Sequence, residues 1–132
     1  MNKSVMKNRE AFIRHLYSLK LELGKESSYQ YQDDDFCLCA KGRAVALFMP
    51  EIAEPNEDGG YSYMWVDDSE YSWNSPPGRV SEALGMDMEE WNELEEKYEG
   101  ARNSGVKRNP YHVAAEYLES LPGWPKVLGG EK

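Results

Sequence analysis

Several residue types that define common classes of protein are scarce in this 132-residue chain. It has only two cysteines, Cys37 and Cys39, which are too few and too close together for the disulfide framework of a secreted domain. No apolar run approaches the roughly 20 residues that a membrane span requires, and no signal peptide is expected. Basic residues are outnumbered, 15 against 24 acidic ones, which argues against general affinity for nucleic acid phosphates. We therefore expect a cytoplasmic protein that binds neither membranes nor nucleic acid directly.

What the chain does contain is enough apolar and aromatic material for a folded domain. Hydrophobic residues make up 40%, with four Trp and nine Tyr, too many for a disordered chain. A chain of this length buries roughly two-thirds of its unfolded surface without help from metal or disulfides. No linker divides it, so we expect one globular domain over residues 1–122 and a flexible Gly-rich C-terminal tail over 123–132.

Helical patterns cover most of the chain. Apolar residues at spacings of three and four predict helices over 4–21, over 36–48 with Asp33–Asp35 capping it, over 88 to about 100, and from Asn109 to Pro122. Asp87 and Glu90 have the spacing of a capping box, and Asn109-Pro110 is a typical helix start. Between these helices we expect Pro76-Pro77-Gly78 to break the chain, and Arg79–Leu84 to form one or two helical turns that Gly85 ends.

Two regions have the alternation of short strands. The runs on either side of residues 24–27 predict a small β-hairpin, and residues 61–66 predict a strand with 71–73 as its return. Together with the helices, this predicts an α+β domain, dominated by about four helices, with one or two small antiparallel β-hairpins.

The negative charge is concentrated in the middle of the chain. Residues 26–100 hold 19 of the 24 acidic residues and only four of the 15 basic ones, whereas both ends are net positive. One interpretation is a solvated surface that keeps the protein soluble. The other is an acidic face that binds a basic surface on a partner protein, such as a nucleic-acid groove.

Aromatic residues are interleaved with the acidic ones, and such a mixture is typical of protein-binding surfaces. Tyr61, Tyr63 and Trp65 share one face of the predicted strand, which either packs in the core or forms an exposed aromatic patch; we expect the core. The contact role goes to the residues beyond them and to the outward face of the third predicted helix. The candidate binding residues are Asp67, Asp68, Glu70, Tyr71, Trp73, Glu89, Glu93 and Glu96.

Enzymatic and metal-binding alternatives have weaker signals. A thiol such as Cys37 near a helix N-terminus, paired with His15 or His112, would suit nucleophilic catalysis, whereas both cysteines also suit close packing. Two cysteines separated by one residue in a helix point about 200° apart, so they chelate one ion only if the helix begins after Cys39. No catalytic residue, metal site or cofactor is assigned.

Four strings occur in an order that resembles a group of small uncharacterised proteins of tailed bacteriophages and prophages. They are Leu16–Gly24, Phe36–Leu47, Pro76–Met86 and Tyr111–Leu121. The aromatic-Cys-Cys-Leu-Gly string of that group is replaced here by Phe36-Cys37-Leu38-Cys39-Ala40. The resemblance implies a phage origin and a shared fold, and it brings no catalytic residue with it.

These observations predict a phage-type accessory protein that is not an enzyme. We expect it to inhibit a host defence or nucleic-acid-processing protein, in the manner of an anti-CRISPR protein, by binding a basic surface of that protein. Two alternatives stay open. One is a small enzyme or nucleotide-binding domain that uses Cys37 or an acidic pair, and the other is a structural accessory protein of the phage.

Overall fold

The structure is a computed structural model that describes residues 3–20, 26–28, 36–49, 54–55, 61–62, 76–103 and 108–127. Five helices dominate these residues: α1 (Lys3–Ser18), α2 (Ala40–Phe48), α3 (Pro76–Ala83), α4 (Met88–Asn103) and α5 (Pro110–Ser120). The extended segments have two or three residues each: β1 (Glu26–Ser28), β2 (Phe36–Leu38), β3 (Glu54–Pro55) and β4 (Tyr61–Ser62). The described fold is therefore all-α, and the α+β prediction is wrong.

The predicted hairpins are also wrong. β1 pairs with β2 in parallel, with Glu26 opposite Phe36, whereas a hairpin joins antiparallel strands. β4 pairs antiparallel with β3 over two residues, and residues 63–75, which include the predicted return strand, lie outside the described residues. Alternation over four residues is a weak signal, because an isolated two-stranded pair is marginally stable and its partner is set by contacts distant in sequence.

Local capping chemistry sets the starts of α4 and α5 as predicted. Glu90 N donates to Asp87 Oδ1 at 2.8 Å and Asp87 N donates to Glu90 Oε1 at 3.2 Å, which is a complete capping box. Asn109 Oδ1 accepts from Tyr111 N at 2.9 Å, with Pro110 at the first helical position. These two signals are local, so they do not depend on the rest of the fold.

Helix α2 begins four residues later than predicted. Phe36–Leu38 pair with β1 instead of continuing the helix, and Cys39 is the N-cap, with extended backbone. Its sulfur accepts a hydrogen bond from Gly42 N at 3.5 Å. Pairing with β1 thus overrides the apolar periodicity of residues 36–39, and Asp33–Asp35, the predicted cap, lie outside the described residues.

Helix α3 begins at Pro76, earlier than the predicted Arg79. Proline fits the first turn because the amide hydrogen that it lacks has no partner within the helix there. The helix ends before Gly85, which has a φ of +64°. Gly85 N donates to Glu82 O at 3.0 Å and Met86 N to Ser81 O at 2.9 Å, the hydrogen bonds of a Schellman motif.

The core lies where α5 packs against α1 and α4, and where α2 packs against α1, α3 and α4. Its largest fully buried side chains include Phe12 of α1, Trp91 and Tyr98 of α4, and Tyr111 of α5. The rings of Tyr98 and Tyr111 lie 5.1 Å apart, and the Tyr111 hydroxyl donates to Leu38 O. Tyr111 therefore links α4 and α5 to the chain just before α2.

Arg9 is a buried cation in α1 whose side chain is only 4% exposed. Its Nε donates to Leu84 O at 2.8 Å, its Nη2 to Gly85 O at 3.0 Å and its Nη1 to Gly123 O at 3.0 Å. The guanidinium also lies 4.5 Å from the ring centroid of Trp124, which is buried. One side chain thus joins α1 to the α3–α4 turn and to the segment after α5.

We expect Arg9→Met to lower the free energy of unfolding by about 1.5–3 kcal/mol, because it leaves the Leu84, Gly85 and Gly123 carbonyl groups without their charged donor. Urea denaturation followed by circular dichroism measures this. Arg14→Met is the matched control, since Arg14 is exposed on the same helix and pairs with the exposed Glu10. Its expected effect is below about 1 kcal/mol, and equal losses in the two variants would contradict the role of Arg9.

Two glycines provide a second test of the fold. Gly100 lies inside α4, and a Cβ there would meet no atom within 4 Å. A Cβ on Gly85 would lie 2.9 Å from Arg9 Nη2 and 3.0 Å from Val5 Cγ1, at a positive φ. We expect Gly100→Ala to raise the free energy of unfolding by about 0.5–1 kcal/mol, and Gly85→Ala to lower it by more than about 1 kcal/mol. Thermal denaturation of both variants measures these changes. A change of the same sign in both would contradict the different backbone roles that the structure gives to Gly100 and Gly85.

Candidate functional site: the acidic face of α4

The outward side of α4 carries a row of carboxylates. Consecutive residues of an α-helix are about 100° apart, so Glu89, Glu93 and Glu96 lie within an arc of about 60°. Glu89 and Glu96 are exposed and Glu93 is half-buried. We call these three residues the acidic face. The structure therefore brings together the candidate binding residues that the sequence assigned to this helix.

Glu93 is held in place by the neighbouring helix. The hydroxyl of Tyr117 on α5 donates to Glu93 Oε2 at 3.3 Å. Burial, and then the negative charge of Glu93, raise the pKa of the Tyr117 phenol, so this hydroxyl remains a donor at neutral pH. One carboxylate of the acidic face is thus oriented, while the other two extend into solvent.

An apolar side chain lies beside the acidic face. Met88, the first residue of α4, is 41% exposed and is the one large hydrophobic side chain classed as exposed in the described part of the chain. Methionine is flexible and polarizable, and it is enriched at protein interfaces. Met88 and Glu89 are adjacent, so this end of α4 offers both an apolar and an anionic contact.

The other candidate binding residues lie outside the described part of the chain. They are Asp67, Asp68, Glu70, Tyr71 and Trp73. Their proximity to the acidic face stays a prediction, as does the assignment of Tyr63 and Trp65 to the core.

The cysteine chemistry differs from the sequence expectation. Because α2 begins at Ala40, Cys39 and not Cys37 is the residue at the helix N-terminus. Its side chain is 1% exposed, and burial is the main reason why the pKa of its thiol lies well above the ordinary value. A buried protonated thiol is a poor nucleophile, so Cys39 packs and caps rather than reacts.

The contacts of the two histidines are those of residues that support the fold. His112 Nε2 lies 3.1 Å from Tyr17 O, and the His112 ring lies against that of Tyr17 with centroids 5.5 Å apart. Burial, and then the positive charge of Arg43, lower the pKa of His15. The groups that influence the Cys39 thiol are instead Glu95, Lys41 and Gly42, so neither histidine is placed as its base.

The most unusual polar group of α4, the carboxyl group of Glu95, was not among the candidate residues predicted from the sequence. Its Oε1 is inaccessible to solvent and has no hydrogen-bond partner in the described structure. Glu95 is four residues after Trp91 and three before Tyr98, both fully buried, so helical spacing places it on the inner edge of α4. Helical spacing could have shown that Glu95 faces inward, but with six glutamates in one helix all of them were expected to face solvent.

Comparison with protein-family models, curated proteins and solved structures finds no match for this chain. Within the described residues, no three His, Cys, Asp or Glu side chains are grouped so that they would hold a metal ion. The same part of the chain contains no helix with the length and apolar character needed to cross a membrane.

The environment of His15 predicts a pH dependence of stability. Its pKa is lower in the folded protein than in the unfolded chain, so the unfolded chain binds the proton first as the pH falls. The stability linked to neutral His15 is present above its ordinary pKa of 6.5 and is lost below it. We expect the melting temperature to fall less between about pH 7.5 and about pH 5.5 in His15→Gln than in the wild type. Identical pH profiles would refute this.

Proposed function

We propose that the protein is a non-enzymatic binding protein that attaches through the acidic face of α4 to a basic surface of a partner protein. The partner is a host defence or nucleic-acid-processing protein, and the encounter takes place in the cytoplasm of a bacterial cell. The single observation that carries this proposal is the acidic face itself: three carboxylates within one arc of a helix, beside the exposed Met88.

The electrostatics favour a protein partner over a nucleic acid. The chain has a formal charge of -9, which opposes contact with phosphates. A surface of opposite charge on a protein would be attracted to the acidic face, and this attraction raises the association rate and selects the orientation. The half-buried, hydrogen-bonded Glu93 adds a contact that is already ordered before binding.

The role of Met88 is to give the contact strength. Exposed charges at the edge of an interface contribute little free energy, whereas an apolar side chain buried at its centre contributes more. Met88 begins the same helix and its side chain points about 100° away from that of Glu89, so a partner that extends around this end of α4 covers both. The surface thus has the two components of a typical interface, an apolar anchor and a polar rim.

The test removes the three charges of the acidic face and leaves all other charges of the protein unchanged. Glu89, Glu93 and Glu96 are changed together to Gln, and the control changes the exposed Glu10, Glu82 and Glu116 to Gln. Both variants lose three negative charges, so a general charge effect would appear in both. The face variant is expected to lose the captured partner from a bacterial lysate, and the control is expected to retain it.

Two readouts accompany the capture. Retention of the partner should weaken as salt rises from about 0.05 M to about 0.5 M, because screening shortens the range of charge attraction. In cells that carry a defence system active against a phage, expression of the wild type, but not of the face variant, should restore plaque formation. Capture by the face variant at wild-type level, or indifference to salt, would refute the proposal.

A further inference from the structure

The joint between α2 and α4 contains a cluster of titratable groups, of which Cys39 is fully buried and Lys41 and Glu95 are half-buried. Cys39 and Lys41 come from the start of α2, and Glu95 comes from the inner edge of α4. Trp91, one turn before Glu95, is fully buried, and the Lys41 ammonium lies 5.6 Å from the centroid of its ring. None of these residues belongs to the acidic face.

The hydrogen bonding of Glu95 is incomplete. The Cys39 thiol and the main chain of Lys41 lie close enough to bond to its carboxyl group. Its Oε1 is nonetheless buried without a partner among the described residues. An unpaired oxygen is more costly on a carboxylate than on a neutral carboxyl group, because the charge requires more solvation.

Lys41 is the cation whose charge acts on Glu95, and it lowers the pKa of that carboxyl group by less than burial raises it. Lys41 Nζ donates to Asn92 Oδ1 at 2.8 Å, and the described structure shows no ion pair between Lys41 and Glu95. Glu99, one turn further along α4, adds a like charge. The groups that face Glu95 are therefore a thiol and a lysine from α2 and a glutamate from its own helix.

We propose that Glu95 is a pH-sensitive latch that holds the first turn of α2 against α4 when its carboxyl group is protonated and releases it when the group ionises. In the released state the first turn of α2 separates from α4, so that water reaches the carboxylate. Release also gives solvent access to the Cys39 thiol, which the closed joint covers. The latch does not depend on the proposed function, because it uses no residue of the acidic face.

The direction of the response follows from burial. Desolvation is the largest effect and raises the pKa of Glu95 above its ordinary value of 4.5. The Cys39 thiol and then Lys41 lower this pKa by less, and Glu99 adds a still smaller increase. The closed joint therefore binds the proton more tightly than the open one does. Its extra stability is complete below the ordinary pKa and is lost as the pH rises through the raised pKa.

Amide hydrogen exchange measures the opening directly. Arg43 N donates to Cys39 O at 2.9 Å in the first turn of α2, so this amide exchanges when the turn opens. After correction for the intrinsic exchange rate, its protection should fall from about pH 5 upward, by at most about tenfold per pH unit. In Glu95→Gln the same amide should show protection that is independent of pH and exceeds the wild-type value at neutral pH.

Two controls separate the latch from general effects. Glu82→Gln removes the same charge from an exposed residue of α3 and should keep the wild-type pH profile. The Leu118 amide, buried in α5, should be more protected than the Arg43 amide at every pH if the opening is local. A flat wild-type profile, a pH profile in Glu95→Gln like that of the wild type, or equal protection of the two amides would overturn the proposal. If Glu95→Gln does not fold, the pH profile of the wild-type Arg43 amide and its comparison with the Leu118 amide still test the proposal.

Discussion

A single buried guanidinium determines how three parts of this chain meet. Arg9 reaches from α1 to main-chain carbonyls of the α3–α4 turn and of the segment that follows α5, and it stacks on Trp124. A planar group with several fixed donors suits carbonyls that approach from different directions, which a lysine ammonium would match less well. The same contact explains Gly85: a side chain there would collide with the guanidinium, so the turn and the cation constrain each other. Arg9 thus fixes α1 to two segments that are distant in sequence, while the main core lies where α5 packs against α1 and α4.

The features that sequence predicted well are those set by chemistry within four residues. The capping box of Asp87, the start of α5 at Asn109 and the helix stop at Gly85 each depend on side-chain or backbone bonds between near neighbours. The errors occur where distant segments decide. Phe36 has the periodicity of a helix, but it lies in a segment that pairs with β1, and a hairpin was predicted where β1 instead forms a parallel pair. Tertiary contacts override a short local pattern in both places.

The candidate site also has features that follow from the sequence and features that depend on tertiary packing. Glu89, Glu93 and Glu96 come from a long periodic helix, and their common orientation follows directly from that period. The role of Tyr117 in holding Glu93 required the packing of α5 on α4, which no sequence spacing specifies. Glu95 could be predicted only in part. Helical spacing places it near Trp91, but the burial of its Oε1 depends on how α2 packs on α4, which no sequence spacing specifies.

Helix α4 thus has two acidic surfaces with different physical consequences. The outward glutamates contribute little to the fold, and like charges four residues apart, as at Glu89 and Glu93, weaken an isolated helix. The favourable position of Glu89 near the positive end of the helix dipole offsets part of that repulsion. Glu96 lies beyond the first turn, where the dipole has little effect. The stability of the helix therefore does not account for three carboxylates on one arc. Solvation of the surface accounts for them, and so does the proposed attraction to a basic surface of a partner. Glu95 differs from these three because its Oε1 is buried without a hydrogen-bond partner among the described residues, so its charge carries a desolvation cost that theirs do not.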